Sequence, residues 1–193
     1  MRGSGLPAFT IDSMHLEHWE KRSEKGLKVA LEAAVAMAQG EDKISLLTLA
    51  GPPGVGKTHL AVAIAWEWLL AGGFVIYRQV EGLLDELRET FGIPPGQALE
   101  MRLPTFDTVL NKFKSCHLLV MDDLGVEKPT EWAQARLDSI IDHRWLNRLP
   151  TVVTINLESK DLPPRIVDRL EDWQCGRVLP MIASSYRREG GKP

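Results

Sequence analysis

The sequence predicts an α/β protein: a three-layer sandwich in which a mainly parallel sheet carries helices on both faces. Three observations predict it. Strand-length apolar runs alternate with helical patterns, as in Ile44–Ala50, His59–Leu70 and Phe74–Tyr77, and strand, helix, strand is a parallel crossover of nearly invariant right hand. The runs Cys116–Asp123 and Pro150–Asn156 are apolar or β-branched through their middles without alternation, as expected of strands buried on both faces. Finally, the stretch Gly51-Pro52-Pro53-Gly54-Val55-Gly56-Lys57-Thr58 joins the first such strand to the helical run that follows it.

In chain order, residues 1–13 read as a flexible arm. Leu16, Trp19, Leu27, Ala30, Leu31, Ala34, Val35 and Ala38 recur at spacings of three and four, predicting a helix from His15 to Gln39, bent or broken near Gly26 and ended by Gly40. One face of it is expected to cover the sheet beside the strand at 44–50. After the helix that opens at His59, Ala71-Gly72-Gly73 is a stop signal and Phe74–Tyr77 a short strand. Val80–Phe91 is amphipathic through Leu83, Leu84 and Leu87. The cluster Gly92-Ile93-Pro94-Pro95-Gly96 and the residues on to Arg102 predict an exposed loop. Thr105 is placed to cap a helix reaching Lys114, with Phe106, Val109, Leu110 and Phe113 on one side. Thr130–Asn147 predicts a long helix carrying Trp132, Leu137, Ile140, Ile141 and Trp145; Leu162-Pro163-Pro164 then breaks the chain before a short helix at Arg165–Leu170. Val178–Ile182 is the last predicted strand. The expected organisation is an N-terminal arm and helix over 1–40, a core over 41–188 and a flexible tail over 189–193.

A chain of 193 residues is long enough for one well-filled core. With 44% hydrophobic and 25% charged residues it has the composition of a soluble globular protein, and no apolar run approaches the ~20 residues of a membrane span. A net charge of −3 gives no chain-wide signature for binding polyanions, so a nucleic-acid contact needs a local basic patch. Arg88, Arg102, Lys112 and Lys114 are the residues available for one, although charges scattered on helix faces are ordinarily just solvated. Cys116 and Cys175 lack metal-ligand spacing and read as buried free thiols. The first residues lead into Pro7 without the apolar core of a secretory signal, so the expected location is cytoplasmic.

The Gly51–Thr58 stretch has the form G-x-x-x-x-G-K-[ST], with a strand before it and a helix after it, the context a P-loop requires. Backbone N–H groups of such a loop, with the positive end of the following helix, form a nest for phosphate oxygens. Gly51, Pro52, Pro53, Gly54, Val55, Gly56, Lys57, Thr58 and His59 are therefore the candidate nucleotide-binding residues. Lys57 is expected to meet the β- and γ-phosphates of ATP, and the Thr58 hydroxyl to bind Mg²⁺. An apolar strand that ends in two carboxylates is costly unless they face a cation. Asp122 is accordingly expected to hold Mg²⁺ through water, and Asp123 to polarise the attacking water. Asn156, at the end of a strand beside the P-loop strand, can hold a water without adding charge.

With these residues in place, the chain resembles the AAA+ ATPases, and within them the bacterial replicative-helicase loaders of DnaC/DnaI type and the IstB transposition helper ATPases. The resemblance runs from about residue 44 to 188, through Gly51–Ala61, Leu118–Gly125, Thr151–Asn156, Arg165–Leu170 and Ser185-Tyr186-Arg187. It implies that Asn156 is the sensor 1 residue, that Arg169 is an arginine finger offered to a neighbouring subunit's nucleotide, and that Arg187 stands in for sensor 2. The ordinary alternative for either arginine is a surface ion pair. The resemblance further implies no separate helical lid domain, a homo-oligomer bridged by nucleotide, and a slow ATPase stimulated by partner or DNA. Asp122-Asp123 stands where many AAA+ proteins carry Asp-Glu, which draws the second carboxylate back by about one methylene. The partner implied is the replicative helicase, with single-stranded DNA; an IstB-like helper would instead meet a transposase, and a nucleotide-gated scaffold would not hydrolyse. A small-molecule kinase fits less well, since Asp123 and Asn156 suit water activation.

Overall fold

The computed structural model describes residues 4–6, 25–40, 44–126, 130–156 and 162–183. Five strands form one sheet in the order β2-β3-β4-β1-β5, namely β1 (Leu46–Ala50), β2 (Val75–Gln79), β3 (Leu118–Leu124), β4 (Thr151–Ile155) and β5 (Gly176–Pro180). Every neighbouring pair is parallel. β1 therefore lies inside the sheet, with β4 on one side and β5 on the other.

Both faces are covered, because each inner strand turns apolar side chains to both sides. Leu47, Leu49, Val75, Leu118, Val120 and Val152 join the cluster formed with α1 (Lys25–Ala38) and α2 (Lys57–Leu70). Leu46, Ile76, Leu119, Met121 and Val153 join the opposite cluster, formed with α3 (Val80–Glu89), α5 (Phe106–Ser115), α6 (Glu131–Leu146) and α7 (Pro164–Leu170). These are the three layers expected from the sequence. Helix α1 packs on α2 and β5, so it covers the sheet beside β1 as anticipated; the part of that helix expected upstream of Lys25 lies outside the described residues. So do the 1–13 arm, apart from residues 4–6, and the tail.

Thr105 and Thr130 cap α5 and α6, their hydroxyls accepting the N–H of Thr108 and of Ala133. Two sequence expectations change. The Pro/Gly-rich stretch is not an exposed loop throughout: α4 (Pro95–Met101) forms there, with Pro in its first turn and Ala98 buried. Proline at the first turn costs no hydrogen bond, since that N–H has no partner within a helix. The last strand also begins two residues earlier than its apolar run, because its ladder is set by β1, with Leu46 opposite Gly176 and Ala50 opposite Pro180. As an edge strand it tolerates Pro180.

Candidate functional site

The carboxyl ends of β1, β3 and β4 meet where the P-loop turns into α2, a place that open parallel sheets use for ligands. Gly56 has φ 104°, in the left-handed region that side chains disfavour, and it occupies the N-cap position of α2. No side chain caps this helix. The N–H groups of its first turn carry the positive end of the helix dipole, which favours an anion there. Gly51 is needed for another reason: a Cβ there would run into the carbonyl oxygen of Met181.

Lys57 is only 5% exposed, which makes its partners decisive for its cost. Its ammonium donates to the carbonyls of Gly51 at 2.9 Å and Pro52 at 3.1 Å, and to Asn156 Oδ1 at 2.8 Å. Residues 99 positions apart in sequence are thereby joined across the β1–β4 pair. The Thr58 hydroxyl donates to Asp122 Oδ1 at 3.1 Å. A hydroxyl and a carboxylate oxygen this close, below an uncapped helix end, form an all-oxygen pair of the kind Mg²⁺ takes beside phosphates. The residues present thus suit both a polyphosphate and its cation.

Asp122 is buried and Asp123 partly exposed. The β3–β4 register shifts between Met121 and Leu124: Met121 faces Val153, yet Leu124 faces Ile155, so β3 carries one extra residue. Asp123 has φ 58° at this bulge, a conformation uncommon for a residue with a side chain. The bulge breaks the strand alternation that would otherwise send adjacent side chains to opposite faces. The Asp123 N–H donates to Thr154 Oγ1 at 2.8 Å.

Two contributors were not anticipated from the sequence, Tyr77 on β2 and Thr154 on β4. The Tyr77 hydroxyl donates to Asp122 Oδ2 at 2.6 Å and the Thr154 hydroxyl to Asp122 Oδ1 at 2.6 Å. Burial, and then the charge of Asp122, push the Tyr77 hydroxyl far above its ordinary pKa, so it stays protonated and donates. Tyr77 is the middle residue of β2 and Thr154 the penultimate residue of β4, the two strands that flank β3. That signal becomes readable only once the order β2-β3-β4 is known.

Pro52, Pro53, Gly54 and Val55 complete the loop, and His59 lies in the first turn of α2. Arg169 lies elsewhere, on α7. Its Nε pairs with Asp142 at 3.1 Å and its Nη1 with Asp168 at 2.9 Å, while its guanidinium stands 4.1 Å from the centre of the Trp145 ring. The isolated chain thus draws Arg169 into ion pairs of its own. Arg187 and the Ser185-Tyr186-Arg187 run lie outside the described residues. Of the basic residues weighed for DNA, Arg88 pairs with Asp85 and lies over Trp132, and Lys112 pairs with Glu86. No helix among the described residues is long and apolar enough to cross a membrane.

Comparison with known proteins follows the same lines. A family model described as IstB-like ATP binding protein matches residues 10–187. The chain is similar to the replicative helicase loader DnaC of Escherichia coli (strain K12), 26% identical over 174 residues that cover 89% of this chain and 68% of that protein. Among solved structures, the DnaC helicase loader matches with a TM-score of 0.69 at 24% identity, over 91% of this chain and 100% of that one. AMPPCP-bound DnaA from Aquifex aeolicus matches with a TM-score of 0.71 at 21% identity, over 93% of this chain and 53% of DnaA. These two likenesses bear on the fold, which they share with this chain.

Proposed function

The chain belongs to the IstB-like ATP-binding protein family, an AAA+ group, and from that premise we propose that it is an ATP-hydrolysing switch that helps load a replicative helicase onto DNA. The observation that carries the ATPase part is the convergence of Lys57, Asn156, Thr58 and Asp122 at the uncapped start of α2. In this reading residues 41–188 are the ATPase core, and 1–40 an arm and helix attached to it.

ATP lies in the P-loop with its phosphates on the α2 N–H groups, and Lys57 leaves the Gly51 and Pro52 carbonyls for the β- and γ-phosphates. Thr58 and Asp122 hold Mg²⁺, which supplies positive charge against the phosphates. Asp123 takes the proton of the attacking water, and Asn156 positions that water from just beyond the end of β4. A general base set back by one methylene suits a slow switch better than a fast motor. Arg169 completes the site of a neighbouring copy after giving up Asp142 and the Trp145 face, so assembly and hydrolysis are coupled. Arg187 serves as the second arginine of the site. The likeness to DnaC, a replicative helicase loader, supports the helicase as partner; single-stranded DNA alongside it and the cytoplasm as the place of action belong to the same reading.

The match to the IstB-like model favours one second reading, a transposition helper whose partner is a transposase. Co-precipitation of the tagged chain with the replicative helicase of its own host, in ATP and in ADP, separates the two. Nucleotide-dependent capture of the helicase is the expected result. Capture of the cognate transposase instead, with none of the helicase, would replace loading by transposition.

A further inference from the structure

We propose that Tyr77 and Thr154 form a hydroxyl clamp that positions Asp122 as a magnesium ligand, with Thr154 also fixing the bulge that presents Asp123. Asp122 receives three hydroxyl groups: Tyr77 on Oδ2 at 2.6 Å, and Thr154 and Thr58 on Oδ1 at 2.6 Å and 3.1 Å. Thr58 is the donor that the ATPase reading reassigns, since its oxygen is wanted by the cation. Tyr77 and Thr154 then remain as the outer partners. They approach from β2 and β4, one on each side of β3, and so hold both carboxylate oxygens against rotation.

Thr154 makes a second contact that Tyr77 does not. Its O–H donates to Asp122 while its oxygen accepts the Asp123 N–H at 2.8 Å, so one hydroxyl links the side chain of the first acid to the backbone of the second. The link spans the point where the β3–β4 register shifts and where Asp123 adopts its left-handed conformation. Residues that orient a metal ligand in this way govern affinity for the metal without touching it.

The inference rests on the ATPase reading, and one titration tests both. ATP affinity is measured by calorimetry with EDTA and across a Mg²⁺ series, for the parent chain, Tyr77→Phe, Thr154→Val and Thr154→Ser, with melting curves on each. Tyr77→Phe and Thr154→Val are expected to bind metal-free ATP within about twofold of the parent while their Mg²⁺ midpoint rises by about tenfold or more, the scale known for outer partners of metal ligands. Thr154→Ser keeps the hydroxyl and is expected to restore the midpoint. A purely structural role would instead lower affinity equally with and without Mg²⁺, and that result would overturn the clamp. An unchanged midpoint in both Tyr77→Phe and Thr154→Val, with a parent that does show Mg²⁺-dependent binding, overturns the clamp and leaves the ATPase reading standing. A parent that binds no ATP overturns both.

Discussion

Lys57 and Asp123 divide binding from chemistry at the scale of single residues. Lys57 holds a buried charge on two carbonyls and an amide, contacts that a phosphate can replace, whereas Asp123 sits partly exposed at the bulge. Lys57→Ala is therefore expected to lose tight ATP binding with the fold intact. Asp123→Asn keeps the size and loses the carboxylate, so it is expected to bind ATP at near-parent affinity while hydrolysis falls by ~10²-fold or more. Titration and phosphate release on the two variants check this, and parent-rate hydrolysis by Asp123→Asn would remove Asp123 as the base. The P-loop was readable in the sequence because its chemistry is local: eight consecutive residues carry it. The hydroxyls of Tyr77 and Thr154 were not, since their meaning depends on which strands flank β3, and that order is a property of the sheet.

Elements were legible where one physical signal dominated. The buried strands followed from apolar runs, α5 from its Thr105 cap and spaced apolar residues, and α6 from its apolar stripe alone, its Thr130 cap going unread. Helix α4 was missed because Pro and Gly mark turns and helix starts alike. Arg144 on α6 shows a further limit: nothing in the sequence singles it out, yet it is 0% exposed. Its guanidinium donates to the carbonyls of Phe113, Lys114 and Cys116, each at 3.0 Å, to Pro150 at 2.6 Å and to the Thr151 hydroxyl at 2.8 Å. It thereby ties the end of α5 to the strands β3 and β4, with the helix dipole favouring a cation there. Arg144→Met fills a similar volume but leaves the α5 carbonyls without a buried donor, so it is expected to cost about 3 kcal/mol or more. A urea midpoint close to that of the parent would show that water replaces the guanidinium at little cost.

For the whole molecule, the sheet order places the P-loop strand between β4 and β5 and brings Asn156 to Lys57, while Arg169 stays with Asp142 and Trp145. A single copy therefore contains the binding half of the proposed machine and keeps its finger on its own surface. A guanidinium acting as a finger contributes ~10³-fold or more to turnover, so a dilute monomer is expected to be nearly inactive, with specific activity rising as copies assemble. The finger role of Arg169 rests on the short run Arg165–Leu170 and its resemblance to a family pattern, and its partners within the chain are not readable from that run.

Phosphate release by Arg169→Ala and Lys57→Ala protein, separately and mixed, tests the shared site most directly. Each variant alone is expected to be inactive, the first lacking the finger and the second the phosphate-binding lysine. Mixing creates interfaces that join an intact P-loop, from the Arg169→Ala copy, to an intact finger, from the Lys57→Ala copy, so activity is expected to return in part. Parent-level phosphate release by dilute, monomeric Arg169→Ala protein would contradict the account and leave Arg169 as the ion pair with Asp142 that the single chain displays.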